Sequence, residues 1–329
     1  MLDVIAQVGS PGEQVFVVMY WSFVACVILP PLLVYLGLHV VRRGIIFIDI
    51  AMAQMASLGF CVGALWGLEL EDSRNVAIAL SFTVAAAALF SFTNKSESEV
   101  PHEAVIGIAY VVAAAAAVLV LSRAAHGDEE IKNMLVGNIL LVSPGDLLSY
   151  GSFFGKFLPD IGPLIRWLSP HDVESVNLAQ TGFMPGTAWV FAFVALIHFV
   201  FRRQLLGVSF TRDEAIAKRV KVRAWDFVFY ALFGLMVTSF VRIAGVLLVF
   251  SYLIVPAVCA VVFARTIAMR MLVGCIVALL GGIGGLIWSF KNDLPTGAAI
   301  VCALGILLIA AASVAPLIRK KNRARDAAG

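Results

Sequence analysis

The sequence predicts an all-α fold, a polytopic transmembrane helical bundle of about nine spans in a single domain, 1–329. Three observations predict it. First, 61% of the 329 residues are hydrophobic and 14% are charged, whereas a soluble domain is roughly half apolar and a quarter charged. So few charges cannot cover a water-facing surface, and the excess apolar area must face lipid. Second, the apolar residues fall into runs of spanning length. Third, basic residues gather in short stretches between alternate runs, as the distribution of positive charge in membrane proteins requires.

A helix rises about 1.5 Å per residue, so about 20 apolar residues cross a hydrocarbon core about 30 Å thick. Runs 15–41, 44–67, 76–93, 104–122, 186–201, 225–241, 243–264, 271–290 and 297–318 fit that length. The fifth is short, and only Arg242 separates the sixth from the seventh. With the N-terminus outside and the C-terminus inside, 17 of the 24 basic residues fall inside. They include Arg42, Arg43, Arg202, Arg203, Lys218, Arg219 and the Arg319–Arg325 tail. An odd number of spans requires termini on opposite sides, as this arrangement has them. The opening MLDVIAQVGSPGEQ lacks a basic n-region, so no cleavable leader is expected.

Composition also narrows the function. A net charge of +3 is too small to imply nucleic acid. Cys26, Cys61, Cys259, Cys275 and Cys302 lie in apolar runs without CxxC spacing, which suggests neither disulfides nor a zinc knuckle. No HExxH, GxSxG or paired intramembrane aspartates are present, so an intramembrane enzyme lacks its machinery. GGIGG (281–285) lacks the lysine of a phosphate loop. With Gly274 and Ala278 it forms a small-residue ladder for close helix packing.

Three segments stand out. Residues 145–185 are rich in Gly, Pro and aromatics, and predict an extracytoplasmic or re-entrant insertion. Pro256 removes a hydrogen bond within the seventh run and predicts a kink beside the pathway. VSFTRDEAIAKRVKVR (208–223) is polar and helix-prone, with Thr211 and Glu214 in capping-box spacing. It reads either as an ordinary positive-inside loop or as a docking helix that inserts into a cytosolic partner.

These residues carry a resemblance. The chain resembles the permease subunits of ABC importers for zinc, manganese and iron, over most of its length. Segment 208–223 resembles the family's coupling loop. VRIAGVLLVFSYLIVPA (241–257) resembles VVGVLLVxALLIxPAA, and PHEAVIG (101–107) resembles xxDAAIG. LVGNILLVSP (135–144) is similar to LFGSLLxVSP, and DLPTGAAI (293–300) to DLPSGPAI. The resemblance implies a type II ABC importer permease fold in a bacterial-type inner membrane. It implies a homodimer, a separate ATP-binding cassette subunit, an extracytoplasmic metal-binding protein, and a divalent metal as transported substrate with no bound cofactor. Arg212, Asp213, Glu214, Ala215, Ala217, Lys218 and Arg219 then become the ATPase coupling residues.

For the metal, the family carries an Asp and a His four residues apart on its second helix. FIDIAMAQM (47–55) departs from that pattern, because Asp49 pairs with Ala53 and Gln54 with Ile50. Asp49 and Gln54 are five apart, roughly 140° around a helix. An ionisable group in a span nevertheless points to a cavity or partner, and Asp49 and Gln54 remain candidates. His102 and Glu103, at the start of the fourth run, offer imidazole and carboxylate suited to these metals. His39 and His198 read as buried histidines bonded to backbone carbonyls, and Met52 and Met55 as packing. The alternative function is an ion-coupled secondary transporter, which predicts buried acid pairs and inverted repeats.

Cysteines introduced at positions 3 and 327 test the orientation. An impermeant thiol reagent added outside should label position 3 alone, and labelling of both from one side would contradict the arrangement.

Overall fold

The computed structural model describes residues 20, 22–68, 72–93, 100–122, 187–210 and 221–326. All regular structure among the described residues is helical. Among the described residues, seven helices are long and apolar enough to cross a membrane, or nine if each of two bent helix pairs forms one span.

The first run is a bent pair, α1 (Ser22–Ile28) and α2 (Pro30–Arg43), meeting at 41°. Pro30 and Pro31 sit in the first turn of α2 and supply no N–H, so the helix restarts there rather than continuing straight. Gly44, at φ 68°, closes α2 by donating its N–H toward the Val40 and Val41 carbonyls. That cap delays α3 (Ile48–Leu65) past the expected start at residue 44. At the start of α4 (Ser73–Thr93), the Asp72 carboxylate accepts the Arg74 N–H at 2.8 Å. α5 (His102–Leu121) begins behind Pro101, with Glu103 in its first turn, where the helix dipole favours negative charge.

The fifth run is again a bent pair. α6 (Thr187–Val200) turns 80° into α7 (Arg202–Phe210). α7 is two-faced, with Leu205, Val208 and Ser209 buried and Arg202, Arg203 and Gln204 exposed. α7 stops where segment 211–220 begins; that segment, and with it Arg212, Asp213, Glu214, Ala215, Ala217, Lys218 and Arg219, lies outside the described residues, as do 145–185 and 135–144.

The sixth and seventh runs form α8 (Val222–Phe263), whose arms Val222–Val241 and Ile243–Phe263 are each of spanning length. The break between them is not at Arg242 but at Gly245, with φ 75° and ψ 162°, a conformation that glycine alone adopts without strain. The arms run in opposite directions. Asp226 in the first arm bonds Arg43 at the end of α2, and in the second arm Ala257 and Ala260 pack with Leu38, near that same end. Ser239, late in the first arm, meets Thr187 at the start of α6 instead. The ends that charge alternation assigns to one side therefore come together. The backbone through Pro256 keeps helical dihedrals, and the non-helical residue inside α8 is Gly245.

α9 (Ile267–Asn292) and α10 (Thr296–Asp326) complete the bundle. Between them Ser289 Oγ donates to the Leu294 carbonyl at 2.6 Å and lies 3.0 Å from Thr296 Oγ1. The DLPTGAAI motif is thus a turn clamped from within. The small-residue ladder does pack closely, since Gly274 faces Val34 and Gly285 lies against the backbone of Ile300 too tightly for a Cβ.

α3 and α8 form the centre. Their spans are 61–67% buried, against 22% for α5 and 17% for α10. Phe229, Tyr230, Phe233, Phe240 and Tyr252 fill the interior. α5 and α10 present Leu119 and Ile309 outward, as lipid-facing helices do.

Candidate functional site

Polar chemistry concentrates at the end of the bundle where α2 and α7 finish and α5 and α8 begin. Its centre is Arg43. Arg43 Nη1 donates to Asp226 Oδ1 at 2.6 Å, with the two side chains 5% and 0% exposed. Arg43 Nε donates to Ser209 Oγ at 2.8 Å. The guanidinium also lies 4.0 Å from the centre of the Phe229 ring, a cation–π contact inside a desolvated shell. Ser209 Oγ is in turn 2.8 Å from His39 Nδ1. His39 and Arg43 are one helical turn apart on one face of α2. Four helices meet at this node, because His198 of α6 packs edge-on to Tyr35 and Phe229.

An ion pair with this little solvent is costly to break from one side, about 3–5 kcal/mol, because the remaining charge is stranded. The node therefore fixes the relative positions of α2, α7 and the first arm of α8. The sequence expectation for His198 holds, since its Nδ1 is 2.9 Å from the Val194 carbonyl. His39 differs: it bonds the Ser209 hydroxyl, a side chain from another helix, rather than a backbone carbonyl.

Beside the node opens a polar cavity of about 500 Å³, lined by Arg42, Arg43, His102, Glu103, Ser209 and Tyr230 among others. His102 Nδ1 is 3.4 Å from Thr93 Oγ1, and its Nε2 is 3.5 Å from Tyr230 Oη. His102 and Glu103 share this cavity with Arg42 and with Arg43, whose charge the buried Asp226 offsets.

Asp49 and Gln54 are not in that wall. Both are buried in α3, at 0% and 7% exposure. Neither carboxylate oxygen of Asp49 has a hydrogen-bond partner among the described residues. Asp49, Gln54, His102 and Glu103 thus do not converge, and among the described residues no group of three or more His, Cys, Asp or Glu is placed to hold a metal ion. An unpartnered buried carboxyl is unfavourable for the fold alone.

Residues 15–154 and 176–315 match the ABC 3 transport family. The chain belongs to the ABC 3 transport family. It is a multi-pass membrane permease of the ABC importer type. Among its relatives, the manganese transport system membrane protein MntC of Listeria innocua is 22% identical over 85% of both chains. The manganese import system permease protein ScaB of Streptococcus parasanguinis is 22% identical over 88% of this chain and 87% of its own. The high-affinity zinc uptake system membrane protein ZnuB of Haemophilus influenzae is 21% identical, over 89% and 96%. The fold is similar to a chain in the structure of PsaBC from Streptococcus pneumoniae in complex with Fab, with a TM-score of 0.66 at 18% identity, covering 94% of this permease and 95% of that chain.

Sequence reasoning found Asp49 but missed the Arg43 node. Arg43 reads as a topology charge and Asp226 as an ordinary acid near a helix start. The available signal was the i, i+4 pair His39 and Arg43 on a span end, facing inward rather than to water.

Removing the uncompensated carboxylate should not harm the fold. Asp49→Asn in the purified permease should melt at or above the wild-type temperature, because burying an unpaired charge costs more than burying a neutral amide. Thermal unfolding in detergent measures this, and a clear drop in melting temperature would show that Asp49 holds the structure together.

Proposed function

We propose that this permease is the membrane subunit of an ATP-driven divalent-metal importer. In this reading it works as a homodimer, with separate ATPase subunits on the cytoplasmic face and an extracytoplasmic binding protein that delivers the metal. The observation that carries the reading is membership of the ABC 3 transport family across 15–154 and 176–315, together with curated relatives named for manganese and zinc transport. The metal is manganese, zinc or iron, hard-to-borderline cations that carboxylate, amide and imidazole groups hold weakly enough to release.

Asp49 and Gln54 are the proposed polar stations of the path on α3. They replace the family's Asp–His pair with a pair offset around the helix, so they contact the metal in succession rather than together. His102 and Glu103 line its cytoplasmic exit, and Pro256 borders it in the second arm of α8. Asp49 being buried without a partner supports its role, because a passing cation would supply the missing compensation. Segment 145–185 is proposed as the extracytoplasmic cap where the binding protein docks. The N-terminus is outside and the C-terminus cytoplasmic.

Hydrolysis of ATP belongs to the partner chain, and the coupling element is 208–223. Its position supports this: it joins α7, which turns aside from α6, to the start of α8. Ala215 and Ala217 are the small residues that let this segment approach a groove of the ATPase closely, flanked by Arg212, Asp213, Glu214, Lys218 and Arg219. Ala215→Arg should place a bulky charge in that contact. A desolvated anchor of this kind carries on the order of 2 kcal/mol or more, so co-purification of the ATPase should fall at least about tenfold. The spans are untouched, so the permease itself should express normally. Full retention of the ATPase with normal metal uptake would contradict the coupling assignment.

A further inference from the structure

Segment 211–220 is bracketed by two anchored side chains. Ser209 precedes it on α7 and Asp226 follows it on α8. Arg43 holds both, through Nε to Ser209 Oγ at 2.8 Å and through Nη1 to Asp226 Oδ1 at 2.6 Å. The Phe229 ring packs against the same guanidinium, and His39 grips Ser209 from one turn back on α2. With 5% of its side chain exposed, Arg43 has little freedom to trade these partners for water.

Between one and two turns back along α2 the packing is equally tight. Gly37 of α2 lies against the carbonyl of Leu253 so closely that a Cβ would not fit, and Leu38 packs on Ala257 and Ala260. These contacts flank Pro256 on the second arm of α8. Directly after Arg43, Gly44 ends α2 in a left-handed turn, and α3 starts at Ile48 with Asp49 in its first turn. A displacement of α2 therefore reaches both the second arm of α8 and the helix that carries the unpartnered carboxyl.

We propose that Arg43 is a coupling clasp: a positioning residue that ties both flanks of segment 211–220 to α2, so that movement of the segment shifts α2 and, with it, Asp49 and the second arm of α8. This rests on the reading of 208–223 as the ATPase-docking element. The geometry is what a mechanical link requires. A single rigid planar group with donors pointing in two directions bonds both flanks at once, whereas a lysine ammonium, a compact charge on a flexible stem, would not span both with fixed orientation. Cores and interfaces of this density switch between discrete arrangements rather than deforming continuously, which lets a small displacement of the segment be passed on.

The test uses the full permease assembled with its ATPase and binding protein in proteoliposomes, with manganese or zinc as probe. ATP hydrolysis and metal uptake are measured on the same preparation for the wild type, Ser209→Ala, Arg43→Lys and Asp226→Asn. Hydrogen bonds to a charged group are strong enough that losing one should lower metal taken up per ATP hydrolysed by about tenfold. The clasp predicts that fall in all three variants with the ATPase still bound, because all three side chains turn inward to the node. A purely structural role would reduce the yield of complex and leave the ratio unchanged. If Asp226→Asn or Arg43→Lys does not fold, Ser209→Ala decides, since it leaves the ion pair intact. An unchanged ratio in the folded variants overturns the clasp, as does loss of ATPase binding, which would make the node part of the docking surface. Failure of the wild type to bind an ATPase at all would instead overturn the docking reading, and the clasp with it.

Discussion

Hydrocarbon offers a polypeptide no hydrogen-bonding partner, and this constraint shapes every feature of the chain. Backbone groups must be satisfied within each crossing segment, so the described residues are helical wherever they cross. Side chains face the same demand. The helices that touch lipid, α5 and α10, are almost wholly apolar between their ends. Polar atoms are gathered where the protein itself replaces water. Pro30, Gly44 and Gly245 interrupt the helices, and beside Pro30 and Gly44 backbone bonds such as Leu33 N–H to Leu29 O and Ile45 N–H to Val40 O continue across the break.

Under that constraint a buried charge needs a complete set of partners or a purpose. Arg43 comes close to the first case: it donates to Ser209 and to the Asp226 carboxylate and lies against the Phe229 ring, with Nη2 left without a partner among the described residues. Asp49 illustrates the second, because its carboxyl oxygens face an interior that supplies no donor. The two residues are six apart in sequence and connected through one turn at Gly44. One ties α2, α7 and the first arm of α8 together. The other is buried with no hydrogen-bond partner among the described residues.

Much of the fold was legible because its cause is local. Run length against bilayer thickness gave the number of crossings, and small residues at helical spacing marked the close contacts of α9 with Val34 and Ile300. The turn between the arms of α8 was less legible. Arg242 is the conspicuous residue there, but chain reversal needs a backbone conformation rather than a charge, and Gly245 provides it. The node at Arg43 was legible only as the local pair His39 and Arg43, not as a meeting of helices. Its partners lie 166 and 183 residues away, and no local pattern predicts which polar residue of one span end meets which of another. The candidate metal residues show the opposite limit. Spacing brought Asp49 and Gln54 to notice one residue at a time, yet only the packing of α3 against its neighbours reveals that both are buried and that His102 and Glu103 lie in a separate cavity.

The central claim is that metal crosses this permease at the expense of ATP hydrolysed by a partner subunit. The most direct measurement is accumulation of manganese or zinc in proteoliposomes containing the permease, its ATPase and its binding protein. The account predicts accumulation that requires ATP inside the cytoplasmic-facing compartment and persists when proton and sodium gradients are collapsed. Accumulation by the permease alone, driven by such a gradient and indifferent to ATP, would contradict it and would identify a secondary transporter.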